Sequence, residues 1–387
     1  MGHQMSADTS TWMGAVRDAG YRTSLFGKTH LHPHSGDLRD REELMHAYGL
    51  DDVNEIGGPR ASARVLSHMT AEWEEKGVWE AYREDYRERF RVKPHVVRPS
   101  VVGLENYADV YVGQKAKMYL ERYDCLQPWF CWVSFGGPHE PWDTPEPYAS
   151  MYDPNEMPPA VSRPNDDRER PRGRLDGMSG PKFEPGEIGR LRANYAGNLT
   201  LIDDQIGEIL GVIQARRELE NTVIVHISDH GEMNGDYGLI YKSNFLNGAV
   251  RVPLLIRTPQ TLKGEMAGMV CHSPVEWFDV GPTLVELAGG ELNHQQFAKS
   301  LCPTLSNPNA LHREEAISEI HGEVMLLNRE WKIALNTDGE AYLLFDVEND
   351  PDEINNLAGQ PEVAEIEKEL RLRILERLVQ SQVRLDA

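Results

Sequence analysis

The chain of 387 residues is poor in cysteine: four residues, Cys125, Cys131, Cys271 and Cys302, none in a C-x-x-C pair. That excludes a disulfide framework and argues against a zinc knuckle. No apolar run approaches the roughly 20 residues of a membrane-spanning helix, so no membrane span is expected. Positive charge is the scarcer sign, with 40 Lys and Arg against 62 Asp and Glu, a formal net charge of −22. A nucleic-acid partner would need a basic face, so none is expected. The same balance weighs mildly against a long polyanionic substrate, although an acidic protein can carry a local basic pocket. No internal repeat is visible.

Against these absences stands one stretch, Thr222–Glu232, TVIVHISDHGE. Its β-branched run reads as a buried parallel strand. Asp229 and His230 stand where that strand stops, and α/β sheets bind ligands at the carboxyl ends of their strands. A carboxylate and an imidazole there suit a divalent metal.

The rest of the chain fits an α/β frame. Ser6 to Ala19 reads as a helix capped by Asp8 or Ser10 and closed by Gly20, followed by a strand over Tyr21–Phe26. Thr70–Val92, dense in charge and aromatics, reads as one amphipathic surface helix, an insertion rather than core. Trp129–Phe135 is the next buried strand. Tyr152–Gly186, rich in Pro, Gly and charge, is a long functional or mobile loop. Apolar residues from Ile188 to Ile213 step by three and four, the clearest helix in the chain. Val252–Ile256 is a further strand. Ser273-Pro274-Val275-Glu276 reads as a capping box opening a helix to about Ala288, kinked at Pro282. After about residue 305 come short strands over Ala316–Ile320, Trp331–Leu335 and Ala341–Phe345 and a helix over Val363–Gln380. The expected division is therefore a catalytic domain over 1–305 and an α+β subdomain over 306–387, an antiparallel sheet with a terminal helix.

Four places combine polar chemistry with a strand end: Lys28 and His30 in GKTH, His139 in GGPHEPW, the pair Asp229-His230, and Lys242 a little beyond. Each has a bland reading, as a solvated lysine or a satisfied loop histidine. Together they place lysines, imidazoles and a metal carboxylate on one rim of one sheet. That set suits a tetrahedral oxyanion, whose outer oxygens the cations neutralise.

These segments resemble the type I sulfatases of the alkaline phosphatase superfamily. AGYRTSLFGKTHLHP is similar to the family signature G-Y-x-T-x-x-x-G-K-x-H, and SFGGPHEPW to its strand followed by P-H-x-P. NYAGNLTLIDDQIGEIL resembles the helix before the metal strand, and ISDHGEMNGDYGLIYKSNFLNGAVRVPLLIRTP the D-[NH]-G…K…R-V-P block. PVEWFDVGPTLVELAGG and LLFDVENDPDEINNLAG match as well, so the likeness runs from about residue 12 to 360. It implies an alkaline-phosphatase-like, mostly parallel sheet flanked by helices, and hydrolysis of a small sulfated substrate. By position, Lys28 and Lys242 would bind the sulfate and His139 would hydrogen-bond it or the leaving group. His30 would act on a hydrated aldehyde nucleophile, formylglycine. Asp229 and His230 would ligate a divalent metal, calcium in many members. Asp203-Asp204, mid-helix, reads as a cap or ion-pair site.

The departures are specific. The chain has neither C-x-P-x-R nor S-x-P-x-R, whose Cys or Ser is converted to formylglycine, and no strand with paired aspartates precedes Lys28. The chain is therefore expected to be a fragment that lacks its first strand and nucleophile segment, and to be inactive as written. His230 stands where many sulfatases carry Asn, which tilts the site toward manganese, with magnesium as a further candidate. Phosphonate monoester hydrolases and phosphodiesterases of the superfamily share Asp-His-Gly and are the alternative enzyme reading. A degenerate, non-catalytic relative is the alternative outside enzymes. His30, His32 and His34 alternate as a zinc or nickel chelate would, a minor reading beside the sulfatase pattern. The pocket would be shaped by Pro33–Val92 and Tyr152–Gly186, where Arg163, Arg168, Arg170, Arg172 and Arg174 could hold a second acidic group or stay solvated.

Overall fold

The computed structural model describes residues 4–382 except 165–167, 264–265, 293 and 295. Two compact units emerge. The first comprises Met1–Pro159, Phe183–Thr222 and Val280–Ser300, and the second Ala160–Lys182, Val223–Asp279 and Leu301–Ala387.

The first unit is built on a parallel sheet with β1 (Arg22–Lys28) between β2 (Asp52–Ile56) and β3 (Trp129–Ser134). Every residue from Thr23 to Gly27 is buried. Successive strand side chains point to opposite faces, and β1 uses this to join two cores. Leu25 packs with Met13, Met45, Tyr48 and Leu50. Phe26 packs on the other side with Ile56, Trp73, Tyr82, Ala116 and Ile209. Each such apolar side chain contributes about 1.5–3 kcal/mol on burial.

Helix α1 (Trp12–Asp18) starts later than the sequence predicts, because Thr11 caps it by accepting the Gly14 N–H. The predicted helix over 70–92 is two helices, α2 (His68–Glu75) and α3 (Trp79–Val92), divided at Gly77 with φ 72°. It is no insertion: Trp73 and Tyr82 lie in the main core. Its charge misleads because Arg89 is itself buried, bonded to Asp85 and to the carbonyls of Arg98 and Pro99. Helix α4 (Ala108–Arg122) packs against α5 (Glu187–Ala215), the helix whose periodicity is plainest. On α5, Asp204 accepts from the Tyr148 hydroxyl at 2.6 Å, and both Asp203 and Asp204 are exposed.

The predicted capping box opens no helix. A 3₁₀ turn over Trp277–Asp279 leads into α6 (Val280–Leu287), with Pro282 harmlessly in its first turn. Ser273 and Glu276 serve tertiary contacts instead. The Ser273 hydroxyl takes the N–H groups of His312 and Arg313, and the Glu276 carboxylate takes Arg313 and Arg377.

In the second unit β4 (Ile224–Ile227) pairs antiparallel with β5 (Leu254–Arg257). The parallel, fully buried strand expected there is not found: its residues are half-buried and His226 is exposed. A β-branched run favours extended backbone but does not choose the direction of its neighbour. Four further strands form an antiparallel meander: β6 (Ala316–Ile320), β7 (Glu323–Leu327), β8 (Trp331–Leu335) and β9 (Ala341–Asp346). The hairpin of β6 and β7 turns on His321 and Gly322, both at positive φ, as a two-residue type I′ turn requires. One face of this sheet, with Leu326, Ile333 and Leu344, receives Leu370 and Ile374 of α7 (Ala364–Gln380). The other face, with Met325, Ala334 and Phe345, packs on Met233, Tyr237, Leu239, Phe245 and Leu246. The C-terminal sheet therefore backs the loop that carries Lys242.

Candidate active site

Lys28, His30 and His139 belong to the first unit and gather at the carboxyl end of its sheet. Gly27 pairs with Ser134 across β1 and β3 and with Glu55 across β1 and β2. Its φ is 116°, and a Cβ there would fall on the Ser134 carbonyl. Only glycine fits, so β3 approaches closely beside Lys28. The Lys28 stem then runs over Gly58, where a Cβ would lie 2.9 Å from Lys28 Cδ.

Beyond Lys28 the chain turns over a buried carboxylate. Glu55 takes the Thr29 hydroxyl, His32 Nε2 at 2.8 Å and His34 Nε2 at 3.4 Å. Burial by itself would raise this carboxyl, but the bonds from His32, His34 and Thr29 outweigh it and bring it down to about 2. The same bond to Glu55 raises His32 against its own burial. His30, exposed, stacks on His34 with ring centroids 5.4 Å apart. Two of the three alternating histidines are thus committed to Glu55. Among the described residues no group of three or more His, Cys, Asp or Glu has the arrangement of a metal site.

His139 sits in a loop fixed at both ends. At its start, the N–H groups of Gly136 and Gly137 both donate to Asp109 Oδ1 at 2.9 Å. Asp109 is 1% exposed, and burial raises its carboxyl. A Cβ on Gly137 would strike Asp109 and Asn198. At the loop's far end Asp143 accepts from the Tyr107 hydroxyl at 3.2 Å, and Asn198 donates to that hydroxyl at 2.6 Å. Burial pushes Asp143 up to about 7. His139 Nδ1 lies 2.9 Å from the Glu140 carbonyl and 2.8 Å from its carboxylate, which also pairs with Arg60. A proton on Nδ1, assigned from these acceptors, makes Nε2 the basic nitrogen.

Asp229, His230 and Lys242 belong to the second unit. They are not on the sheet of Lys28 and His139: β4 pairs with β5. Just past β4, the Asp229 side chain is 56% exposed and that of His230 33%. Asp229 Oδ2 and His230 Nε2 stand 3.4 Å apart, and His230 Nδ1 lies 2.9 Å from the Gly231 carbonyl. An N–H on Nδ1 bonded to a backbone carbonyl is the usual tautomer of a metal-binding imidazole. An oxygen and a nitrogen donor side by side, accessible and so oriented, fit a divalent ion.

Lys242 is held in a loop of unusual backbone. Asn234, Gly235, Tyr237, Gly238, Tyr241 and Ser243 all have positive φ. Internal bonds close it: Met233 N to Tyr241 O at 2.9 Å and Gly235 N to Leu239 O at 2.8 Å. Glu232 Oε1 accepts the Tyr241 N–H and the Asn234 N–H. In the arginine-rich loop Arg163, Arg168 and Arg172 are exposed and Arg170 and Arg174 half-buried, and four of the five bond to the protein. Arg170 pairs with Asp176, Arg163 donates to the carbonyls of Leu175 and Met178, Arg168 to Asn356, and Arg174 to Ser243. Glu55, Asp109, Glu140 and Glu232 were not singled out from the sequence. Asp109 and Glu232 take backbone N–H groups, and Glu55 and Glu140 take side chains that mostly lie far away in sequence, and neither pattern leaves a motif.

The Sulfatase family model matches residues 5–290, and the C-terminal model of N-sulphoglucosamine sulphohydrolase matches residues 235–380. An arylsulfatase of Clostridium perfringens is 27% identical over 369 residues, 90% of this chain and 73% of that protein. The multifunctional alkaline phosphatase superfamily protein PehA of Trinickia caryophylli is 28% identical over 72% of this chain and 60% of its own length. For the choline-sulfatase of Rhizobium meliloti the figures are 32%, 61% and 47%. The chain thus spans about half to three quarters of these relatives. In fold it resembles the phosphonate monoester hydrolase of Silicibacter pomeroyi, with TM-score 0.74 and 23% identity over 98% of this chain and 82% of that one. It also resembles a protein solved with D-glucosamine-2-N,6-O-disulfate, with TM-score 0.68 and 18% identity over 97% and 83%. With its family model covering most of its length and its α/β sheet carrying the G-K-x-H and P-H-x-P residues at adjacent strand ends, the chain belongs to the sulfatase family of hydrolases in the alkaline phosphatase superfamily.

Proposed function

We propose that the chain serves sulfate-ester hydrolysis, with Lys28, His139 and Lys242 binding the sulfate group and Asp229 and His230 holding a divalent ion, calcium by family habit. The observation that carries this reading is the pairing of Gly27 with Ser134, which fixes Lys28 and the His139 loop at one sheet end within a family-matched frame. A bound divalent ion would supply further positive charge to the sulfate oxygens. Lys28 and Lys242 would neutralise the peripheral oxygens as point charges. His139, with Nδ1 held by Glu140, would offer Nε2 to a sulfate or leaving-group oxygen. His30, exposed and stacked on His34, is the candidate for proton exchange with the nucleophile. Neither a cysteine nor a serine of this sequence stands in the formylglycine motif, so no step through that aldehyde is assigned to a residue here.

Calorimetry with inorganic sulfate in the presence of calcium tests the reading. Lys28→Met should weaken sulfate binding by about tenfold, the equivalent of 1.4 kcal/mol. Sulfate binding that ignores this change would sink it. Paired assays with an aryl sulfate and an aryl phosphonate monoester test the ester class. The phosphonate alternative rests on the Asp-His-Gly at Asp229-His230-Gly231, and faster phosphonate turnover would replace sulfate with that substrate.

A further inference from the structure

Lys242 is flanked by Tyr241 at φ 72° and Ser243 at φ 77°. Neither is glycine, and each left-handed residue costs roughly 1–2 kcal/mol. Strain of this kind persists only where the surroundings over-determine the backbone, and it concentrates at functional sites. Here the over-determination is visible. On one side of Lys242, Glu232 Oε1 accepts the N–H of Tyr241, and it gathers the Asn234 N–H at 3.4 Å as well. On the other side, Arg174 Nε donates to the Ser243 carbonyl at 2.8 Å. Arg174 is itself anchored, its backbone N–H bonded to Glu323 at 2.6 Å. Glu323 is 6% exposed and takes the buried Tyr342 hydroxyl at 2.7 Å. A further bond runs from the Tyr237 hydroxyl to the backbone at Glu353.

We propose that Glu232 and Arg174 are positioning residues that clamp the outer peptide groups of the segment Tyr241-Lys242-Ser243, at the Tyr241 N–H and the Ser243 carbonyl, and thereby aim the Lys242 ammonium at the sulfate. The arginine-rich loop then acts on the substrate through Lys242 rather than by touching it. The C-terminal sheet shares in the site through Glu323. This inference rests on the proposed sulfate-binding role of Lys242.

The test is calorimetry with inorganic sulfate on the intact chain, in calcium, alongside the rate at which the Lys242 amine is acetylated by acetic anhydride, read by peptide mass spectrometry. Glu232→Ala should weaken sulfate binding by about tenfold and change the Lys242 labelling rate at least about threefold. Glu232→Gln, which keeps an acceptor oxygen, should restore both to within about twofold. Arg174→Ala, which frees one side of the clamp, should weaken binding by roughly threefold and shift labelling in the same direction. Folded Glu232→Ala protein with wild-type affinity and labelling overturns the clamp. Should that variant not fold, unchanged labelling in Arg174→Ala overturns it equally. Lys242→Met separates the two claims. Unchanged sulfate affinity there removes the role of Lys242. A loss there, with none in Glu232→Ala, removes only the clamp.

Discussion

Lys28 ends a central parallel strand between Gly27 and the buried Thr29, whereas Lys242 lies in a loop between Tyr241 and Ser243. The backbone takes positive φ beside both lysines. Beside Lys28 the residue that does so is glycine, at no steric cost, and a sheet ladder on each side holds it. Beside Lys242 the residues are a tyrosine and a serine, and side chains from elsewhere in the second unit hold them. The first lysine is placed by cooperative main-chain structure, so disturbing it disturbs the fold. The second is placed by side-chain-to-backbone bonds and a single main-chain bond, Met233 N to Tyr241 O, rather than by a sheet ladder, so disturbing it should cost binding more than stability.

Gly27→Ala should break the first arrangement most severely. The new Cβ would fall on the Ser134 carbonyl of a neighbouring strand, at a φ of 116°. Neither strand can move without losing its ladder. The expected loss exceeds about 3 kcal/mol, in the range of the most damaging single substitutions. Urea unfolding followed by circular dichroism measures it. A loss below 1 kcal/mol would mean that β1 and β3 separate easily, and the contrast with Lys242 would fail.

Glu55→Gln probes the same region by charge. The native Glu55 carboxyl lies at about 2 against an ordinary 4.5. Its depressed value means that ionised Glu55 stabilises the fold fully above about 4.5, and that this stability is lost as pH falls toward 2. His32 is raised, so its contribution is complete below its ordinary 6.5 and fades as pH climbs through its higher folded value. The pair therefore supports the fold best between those limits. Glu55→Gln should remove on the order of 2 kcal/mol there and flatten the acid limb of the stability curve. Thermal unfolding from pH 2 to 7 decides it, and an unchanged acid limb would show that Glu55 does not brace the Lys28 turn.

The two regions also differ in how far the sequence discloses them. Helix α5, β1 and β3 are legible because apolar spacing and strand length follow directly from burial. Lys28 and His139 are legible because Lys28 ends β1 and His139 follows β3 by five residues, although β3 is half-buried rather than the buried strand expected. The strand β7 is missed: EVMLL begins on a glutamate and never alternates, although His321-Gly322 before it is a readable two-residue turn. The direction of β4 is misjudged because composition does not record which neighbour a strand finds. The charges of Thr70–Val92 and of the arginine loop suggest water, yet Arg89 and Arg174 spend their donors on carbonyls. Glu55, Asp109 and Glu232 were never candidates, since their partners are imidazoles, hydroxyls and backbone N–H groups that only the fold brings near. The residues proposed to bind substrate lie in motifs, several of them close to strand ends, and those proposed to position them do not.

The finest test of the contrast is Ser243→Gly, the counterpart of Gly27→Ala in the opposite direction. Glycine accepts φ 77° without the strain that serine carries there. Relief of that strain, offset by glycine's greater freedom in the unfolded chain, should leave stability unchanged or raised by at most about 1 kcal/mol. The peptide beside Lys242 would meanwhile gain freedom that the bond from Arg174 to the Ser243 carbonyl only partly restrains. Sulfate affinity should therefore fall by about twofold to threefold while the unfolding midpoint holds or rises. A variant that gains stability and keeps full affinity would show that the left-handed serine is incidental to the aim of Lys242. A variant that loses stability would show that Ser243 makes packing contacts worth more than the strain, and the loop would then belong with the Lys28 region, held by its fold rather than by its clamps.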